Sequence, residues 1–174
     1  MKTLLVDGYN VLRSSGDYAH LTEVAPDHTH DAFNLAREAL IADVATFAGR
    51  EFEATVIFDG AGNPGSTGEP LSVAGITVIF SSAGVSADSV IEELAVKAVA
   101  LGREVLVVTS DASLQWTVLR GKVTRMSAVG FCEEMQGVRR EVEEAAEREA
   151  NKRTLGERLD NRTREALERI ARGV

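Results

Sequence analysis

Short apolar segments alternate with longer helix-like segments along this chain, and that alternation constrains the fold more than any other feature. Brief runs without a polar face are typical of buried strands in a parallel sheet. Helical periodicity between such runs predicts a doubly wound α/β fold around a mainly parallel sheet. The predicted strands are 3–6, 54–58, 76–80, 105–108 and 122–126, and the predicted helices are 31–48, 87–100, 112–119, 128–150 and 155–171.

Residues that commonly cap helices support several of these boundaries. Ser127 stands where it can cap the helix that follows, and Thr154 with Glu157 has the spacing of a capping box. Gly102 follows helix 87–100, and glycine at that position often ends a helix in the left-handed conformation. These signals predict that two separate helices end the chain.

Two polar segments are predicted to be irregular. Residues 60–70 (GAGNPGSTGEP) are the one stretch rich in Gly, Pro, Ser and Thr, which predicts a mobile loop. The connector after Asn10 and before residue 31 holds all three histidines, His20, His28 and His30. A solvated connector is the simpler interpretation of these histidines, although His28 and His30 have a spacing that permits weak metal chelation.

Length and composition bound the class of protein. The chain has 174 residues, of which 44% are hydrophobic, so we expect one domain, 1–174, with 128–174 as a charged helical extension. The single cysteine, Cys132, excludes an internal disulfide and a cysteine-based zinc site. The N-terminal apolar segment is too short for a secretory signal, and no run approaches the roughly 18 apolar residues of a membrane helix. The sequence therefore predicts a cytoplasmic protein without a membrane partner, and leaves monomer and homodimer open.

The net charge of −8 argues at first against a nucleic-acid partner, but the charge is unevenly distributed. Residues 1–119 contain 6 basic and 16 acidic side chains, whereas residues 120–174 contain 13 basic and 11 acidic ones. The basic residues of the last third either form solvated helix faces or contact a nucleic acid. The candidates for such a contact are Arg120, Lys122, Arg139 and Arg140.

Acidic residues recur where predicted strands end. Asp7, Asp59 and Asp111 follow apolar runs, and Asp88 lies in the first turn of a predicted helix after the third run. Ligands of parallel α/β sheets bind outside the carboxyl ends of the strands, so these side chains are expected at one edge. Clustered carboxylates repel one another unless a cation neutralises them, and an all-oxygen set suits Mg²⁺ or Mn²⁺.

Each acid taken alone has a simpler explanation. Asp88 and Asp111 stand where helix N-caps are common, and Asp59 before Gly60 can open a turn. The joint occurrence in one chain favours a shared metal site. Rival chemistries also lack their motifs, since there is no Gly-Lys-Ser/Thr phosphate loop, no Gly-x-Gly-x-x-Gly after the first strand and no Gly-x-Ser-x-Gly.

Four short motifs together resemble a known family. They are VDGYN at 6–10, FD at 58–59, SAD at 86–88 and TSDASLQW at 109–116. The chain resembles, along most of its length, the YacP-like group of NYN domains within the PIN-like nuclease superfamily. The resemblance implies a three-layer α/β domain and a metal-dependent endoribonuclease that cuts single-stranded RNA. The best-known type of member is associated with the ribosome and cuts mRNA, which implies RNA and the ribosome as partners.

The resemblance also implies roles for particular residues. Asp7, Asp59, Asp88 and Asp111 match the acidic motif, and Glu92 matches an acidic position one helical turn after Asp88. Asn10 and Ser110 match polar positions around the acids. Segment 60–70 and the histidine-bearing connector do not match, so substrate choice is expected to differ there.

Other contacts follow from residue type and position. Gln115, one turn into the predicted helix 112–119, can contact a sugar or base, and Tyr9 is able to stack on one. Trp116 has neighbours that favour core packing over stacking. Two further classes of function stay open, namely a non-catalytic RNA- or ribosome-binding adaptor and a structure-selective DNA nuclease.

Overall fold

The computed structural model describes residues 1–23, 30–110 and 122–171. Within these residues the chain forms six strands and five helices. The strands are β1 (Lys2–Asp7), β2 (Phe52–Phe58), β3 (Pro70–Val73), β4 (Ile76–Phe80), β5 (Val105–Val108) and β6 (Val123–Met126), and the helices are α1 (Gly8–Ser14), α2 (Gly16–Glu23), α3 (His30–Ala48), α4 (Ala87–Ala100) and α5 (Ala128–Ala171).

The strands make one sheet in the order β3-β4-β2-β1-β5-β6. Every neighbouring pair is parallel except β3 with β4, which is antiparallel. The carboxyl ends of β1, β2, β4, β5 and β6 therefore lie at one edge of the sheet, which we call the carboxyl edge. The predicted α/β fold with a mainly parallel sheet is confirmed.

Helices cover both faces of the sheet, and β1 shows why. Leu4 and Val6 point into one core cluster, and Leu5 points into the other, because successive side chains of a strand face opposite sides. The first cluster contains side chains of α1, α2, α3 and the start of α5. The second contains Ile91 and three alanines of α4. The chain thus forms three layers, with both faces of the central strands buried.

The predicted strands are all present, within two residues at each end. The strand missed by the sequence pattern is β3, which pairs with β4 through a turn at Ala74 and Gly75. All four residues of β3 are exposed, so no alternation of buried and exposed side chains marks it. It begins at Pro70, which is tolerated there because β3 is an edge strand.

The segment expected to be a polar connector is partly helical, and that prediction is wrong. Helices α1 and α2 occupy most of residues 8–23, with His20 in α2, and His30 begins α3. The pattern failed because α1 has only seven residues and a single buried stripe, Gly8, Val11 and Leu12. His28 lies outside the described residues.

The chain ends in one helix, not two. Helix α5 is continuous from Ala128 to Ala171, so the break predicted at Thr154 is wrong. This part of the chain contains no proline, and Gly156 only weakens a helix, by about 1 kcal/mol. The predicted helix 112–119 lies outside the described residues.

Other local predictions hold. The Ser127 hydroxyl accepts a hydrogen bond from the Gly130 amide at 3.1 Å and caps α5, while Gly102 adopts a φ of 79° after α4.

The chain divides into two compact units, residues 1–136 and 137–174, and the expectation of a single domain stays a prediction. None of the described helices combines the length and apolar character needed to cross a membrane.

Candidate acidic site at the carboxyl edge

Asp7 is the last residue of β1 and stands at the centre of the candidate site. It is half-buried, and its Oδ1 atom accepts a hydrogen bond from the Asn10 amide at 3.1 Å, which caps α1. Burial raises the pKa of Asp7 most strongly, and the Asn10 hydrogen bond opposes that rise. The negative charges of Asp88 and Asp59 raise the pKa further, while Arg13 lowers it. The carboxylate of Asp7 therefore lies close enough to Asp88 and Asp59 for their charges to affect its ionisation.

Asp59 follows β2 directly and is exposed. Its Oδ1 atom accepts a hydrogen bond from the Ala61 amide at 2.8 Å, which forms the turn that leaves the strand. Because β2 lies beside β1 in parallel register, with Ile57 opposite Asp7, Asp59 emerges at the same edge. The local bonds of Asp7 and Asp59 each use Oδ1, and a carboxylate has a second oxygen with which to bind a cation.

Asp88 reaches the site from the other side of the sheet. It lies in the first turn of α4, and the cap of that helix is Ser86, whose hydroxyl accepts from the Ser89 amide at 3.2 Å. Asp88 is therefore not needed as the N-cap. Ile91, one turn later, is fully buried in the core cluster that includes Leu5 of β1. This packing holds the start of α4 near the end of β1.

The polar residues around these acids come from β5 and α1. The amide of Ser110 donates to Asn10 Oδ1 at 3.3 Å, and the Ser110 hydroxyl accepts from the Ala128 amide at 3.3 Å. Thr109 is fully buried beside them. Ser110 therefore links β5, α1 and the start of α5 at the carboxyl edge, next to Asp7.

The remaining predicted residues come from other parts of the chain. Glu92 is exposed on α4, one helical turn after Asp88. Lys122 precedes β6, and its carbonyl accepts from the Val105 amide at the start of β5, so it lies at the opposite edge. Arg139 and Arg140 are exposed in the second unit. Asp111, Gln115, Trp116 and Arg120 lie outside the described residues.

The donor set is chemically suited to a hard divalent cation. Carboxylates are the ligands that Mg²⁺ and Mn²⁺ prefer, and a cation would offset the repulsion that raises the pKa of Asp7. The described residues do not include three His, Cys, Asp or Glu side chains close enough to hold one ion by themselves. A complete ligand set therefore needs a further donor or closer approach of the three acids.

Two features of this region were not foreseen from the sequence. Arg13 lies close enough to Asp7 to lower its pKa. Arg13 stands about one and a half helical turns along α1, which begins directly after Asp7. A cavity of about 550 Å³ opens beside Asp59 and extends along α3 and the segment 60–69. No signal in the sequence marks this cavity, because its walls come from segments far apart in the chain.

A three-layer α/β domain with a mainly parallel sheet, whose carboxyl edge carries acids from two strand ends and one helix, is typical of the PIN-like class of nuclease-type domains. The chain belongs to the YacP-like NYN domain family, whose sequence model matches residues 4–172. The NYN domain is part of the PIN-like nuclease superfamily, so the domain is of a nuclease type and related to RNA.

Known relatives are similar along most of their length. The uncharacterized protein YacP of Bacillus subtilis (strain 168) is 25% identical over 156 residues, which are 90% of this chain and 88% of that protein. The crystal structure of Rae1 (YacP) from Bacillus subtilis matches with a TM-score of 0.66 and 26% identity, covering 99% of this chain and 96% of that one. A single-substitution variant of Rae1 matches with a TM-score of 0.65, covering 87% and 85%.

Proposed function

We propose that this protein is a metal-dependent endoribonuclease that cuts single-stranded RNA in the cytoplasm, with mRNA on the ribosome as its substrate. One observation carries the proposal. Asp7 at the end of β1, Asp59 after the neighbouring parallel strand β2 and Asp88 in the first turn of α4 come from separate elements to the carboxyl edge, in a chain of the YacP-like NYN domain family. The pKa of Asp7, raised first by burial and then by the charges of Asp88 and Asp59, supports the binding of a cation there.

Asp7, Asp88 and Asp111 are the proposed principal ligands of Mg²⁺ or Mn²⁺. Asp59 either binds the ion directly or orients another group that binds it. Glu92 would contact the ion through a water molecule. When bound, the ion supplies an activated water and offsets the charge that develops on the phosphate. Asp111 is included because it follows Ser110, whose amide lies beside Asn10 at the carboxyl edge.

The polar residues of the site position the RNA. Asn10 and Ser110 link the first turn of α1 to the segment after β5. Both side chains orient the phosphate by hydrogen bonds. Gln115 contacts a sugar or base. The basic side chains Arg120, Arg139 and Arg140 bind the RNA backbone or ribosomal RNA. Lys122 contributes less, because it lies at the edge of the sheet opposite the acids.

The test is cleavage of a labelled single-stranded RNA in Mn²⁺ by the wild type and by Asp7→Asn. Asparagine caps helices as well as aspartate does, so the variant should keep α1 and its fold. We expect cleavage to fall at least about 100-fold, in line with the loss of a group that binds a catalytic metal. Glu104→Gln, at the amino edge of the sheet, is the control and should cleave normally. Undiminished cleavage by Asp7→Asn would refute the assignment.

A non-catalytic adaptor is the second candidate, in which the basic side chains of the C-terminal part of the chain bind RNA or the ribosome. Calorimetric titration with Mn²⁺ separates the two. The nuclease should bind Mn²⁺ with a stoichiometry of one or two ions per chain and lose that binding in Asp7→Asn. An adaptor should bind RNA without binding the ion. A parallel assay on flap DNA tests the remaining class, a structure-selective DNA nuclease.

A further inference from the structure

The cavity beside Asp59 has a floor of aromatic rings. Tyr9 packs edge-on against Phe58 with ring centroids 5.3 Å apart, and Phe58 stacks on Phe80 at 5.2 Å. Phe58 is fully buried, whereas Tyr9 and Phe80 are only partly buried and line the cavity. The Arg37 guanidinium lies 5.5 Å from the centroid of the Phe80 ring. Aromatic rings and guanidinium planes are the surfaces on which the bases of single-stranded RNA stack.

The opposite wall is the segment 60–69, and hydrogen bonds fasten it to the residues after β4. The Gly60 amide donates to Ser81 Oγ at 2.8 Å, and the Ser66 hydroxyl donates to the Ser81 carbonyl at 2.7 Å. The Ser82 hydroxyl donates to the Thr67 carbonyl at 3.2 Å. Ser81 is fully buried. These hydrogen bonds hold segment 60–69 to the residues after β4. Such preorganisation lowers the entropic cost of binding a ligand.

The charges that line the cavity favour a base over a phosphate. Among its described lining residues Arg37 is the one basic side chain, and it is outnumbered by the carboxylates of Asp59 and Glu69. A phosphate would be repelled by those carboxylates. A base, in contrast, presents amino groups that carboxylates recognise, as glutamate recognises the N4 amino group of cytosine.

We propose that this cavity binds one base of the RNA substrate and selects bases that carry an exocyclic amino group over uracil. The proposal rests on the function proposed above and specifies how its substrate is recognised. Asp59 belongs both to the acidic site and to the cavity wall, so the bound base is adjacent to the phosphate that is cut. Glu69 accepts the hydrogen bond of the amino group. Arg37, which lies over the Phe80 ring, forms with Tyr9 the surface on which the base stacks.

The first experiment measures binding without cleavage. Fluorescently labelled oligocytidine and oligouridine of equal length have the same charge. They differ at the base edge, where cytosine has an amino group at C4 and an unprotonated N3, and uracil has a keto group at C4 and an N3–H. In a chelating buffer, we expect the wild type to bind oligocytidine about tenfold more tightly than oligouridine, as one specific contact to a base edge allows. Glu69→Ala, which removes the acceptor, should reduce the difference to less than about twofold. Glu104→Ala, at an exposed acid on the other edge of the sheet, should keep it.

The stacking surface has its own matched pair of variants. Arg37→Ala should weaken binding of both oligonucleotides by a similar factor of about five, because stacking does not depend on the amino group. Arg50→Ala, which removes an exposed arginine from the turn before β2, should change neither affinity. Equal binding of the two oligonucleotides by the wild type, or full discrimination by Glu69→Ala, would overturn the proposal.

Mapping the cut positions on an RNA of mixed sequence in Mn²⁺ separates this proposal from the function on which it rests. If the protein discriminates between the two oligonucleotides but cleaves no RNA, the base pocket is supported and the nuclease function is rejected. Cleavage that shows no base preference, in the wild type or in Glu69→Ala, would support the nuclease and reject the base pocket. Cuts next to cytosine or adenine that lose this preference in Glu69→Ala would support both.

Discussion

The amide of Ser110 donates a hydrogen bond to Asn10 Oδ1 at 3.3 Å, across 100 residues of sequence. The bond joins the first helix to the end of β5, and the Ser110 hydroxyl in turn accepts from Ala128 at the start of α5. Asp7 caps α1 by accepting a hydrogen bond from the Asn10 amide, so the Asn10–Ser110 bond also holds Asp7 close to the end of β5. The geometry of the acidic site therefore depends on a contact that neither segment makes alone.

Replacing Asn10 by alanine should disturb this positioning more than it disturbs stability. Loss of one hydrogen bond should lower the free energy of unfolding by about 1 kcal/mol. Cleavage should fall at least about tenfold, because Asp7 and Ser110 are no longer tied together. Gln136→Ala, which loses a different long-range bond to Asp17 at 2.6 Å, is the control. It should be destabilised to a similar extent and still cleave RNA, and equal loss of activity in both variants would contradict the positioning role.

Asp7→Asn should stabilise the metal-free protein at neutral pH. The pKa of Asp7 is raised in the folded state, so the folded chain holds this proton more tightly than the unfolded chain does. Ionisation of Asp7 therefore costs stability as pH rises through the raised pKa. Asparagine keeps the cap on Asn10 and removes that cost.

The gain from Asp7→Asn should be present at pH 7 and disappear as the pH falls below the ordinary aspartate value of 3.8. Thermal unfolding in a chelating buffer across this range measures it. Asp7→Ala removes the cap as well, and should gain less by about 1 kcal/mol. A lower unfolding temperature of Asp7→Asn at pH 7 would show that the carboxylate is structural.

Gly60→Ala should be destabilising, by about 1–3 kcal/mol, because an added Cβ would clash with the Ser81 carbonyl oxygen and the Ser66 hydroxyl. Gly62→Ala lies in the same segment, where an added Cβ meets nothing within 4 Å, and should be close to neutral. Urea unfolding of the two variants measures the difference. Equal stability would mean that the wall of the cavity is not fixed to Ser81.

Reversal of charge at Arg139 and Arg140 should weaken RNA or ribosome binding in a salt-dependent way. Both residues are exposed on α5, and contacts to phosphate release counterions. The variant with two glutamates should bind less tightly at low salt and show a shallower dependence on salt concentration. Lys2→Glu with Arg50→Glu, which makes the same change of charge on exposed residues of the first unit, is the control. Affinity that stays at the wild-type value at every salt concentration would exclude this pair of arginines.

Much of the fold was predictable because its signals are local. The four central strands are apolar on both faces, so their burial is visible in the residues themselves. The same holds for the caps at Ser127 and Gly102, which act within one helical turn. Strand β3 was not predictable, because it is exposed and exists only through its pairing with β4.

The site divides in the same way. The sequence by itself determined that Asp7, Asp59 and Asp88 stand at the ends of strands or the start of a helix, since strand and helix formation depend on neighbouring residues. Only the tertiary structure decided that Asp7 is half-buried near two other acids, and that Lys122 lies at the opposite edge. It also joined Arg37 and Phe80 to segment 60–69 around one cavity. Burial, pairwise charge effects and cavity walls depend on distances between segments remote in the chain, and packing alone sets those distances.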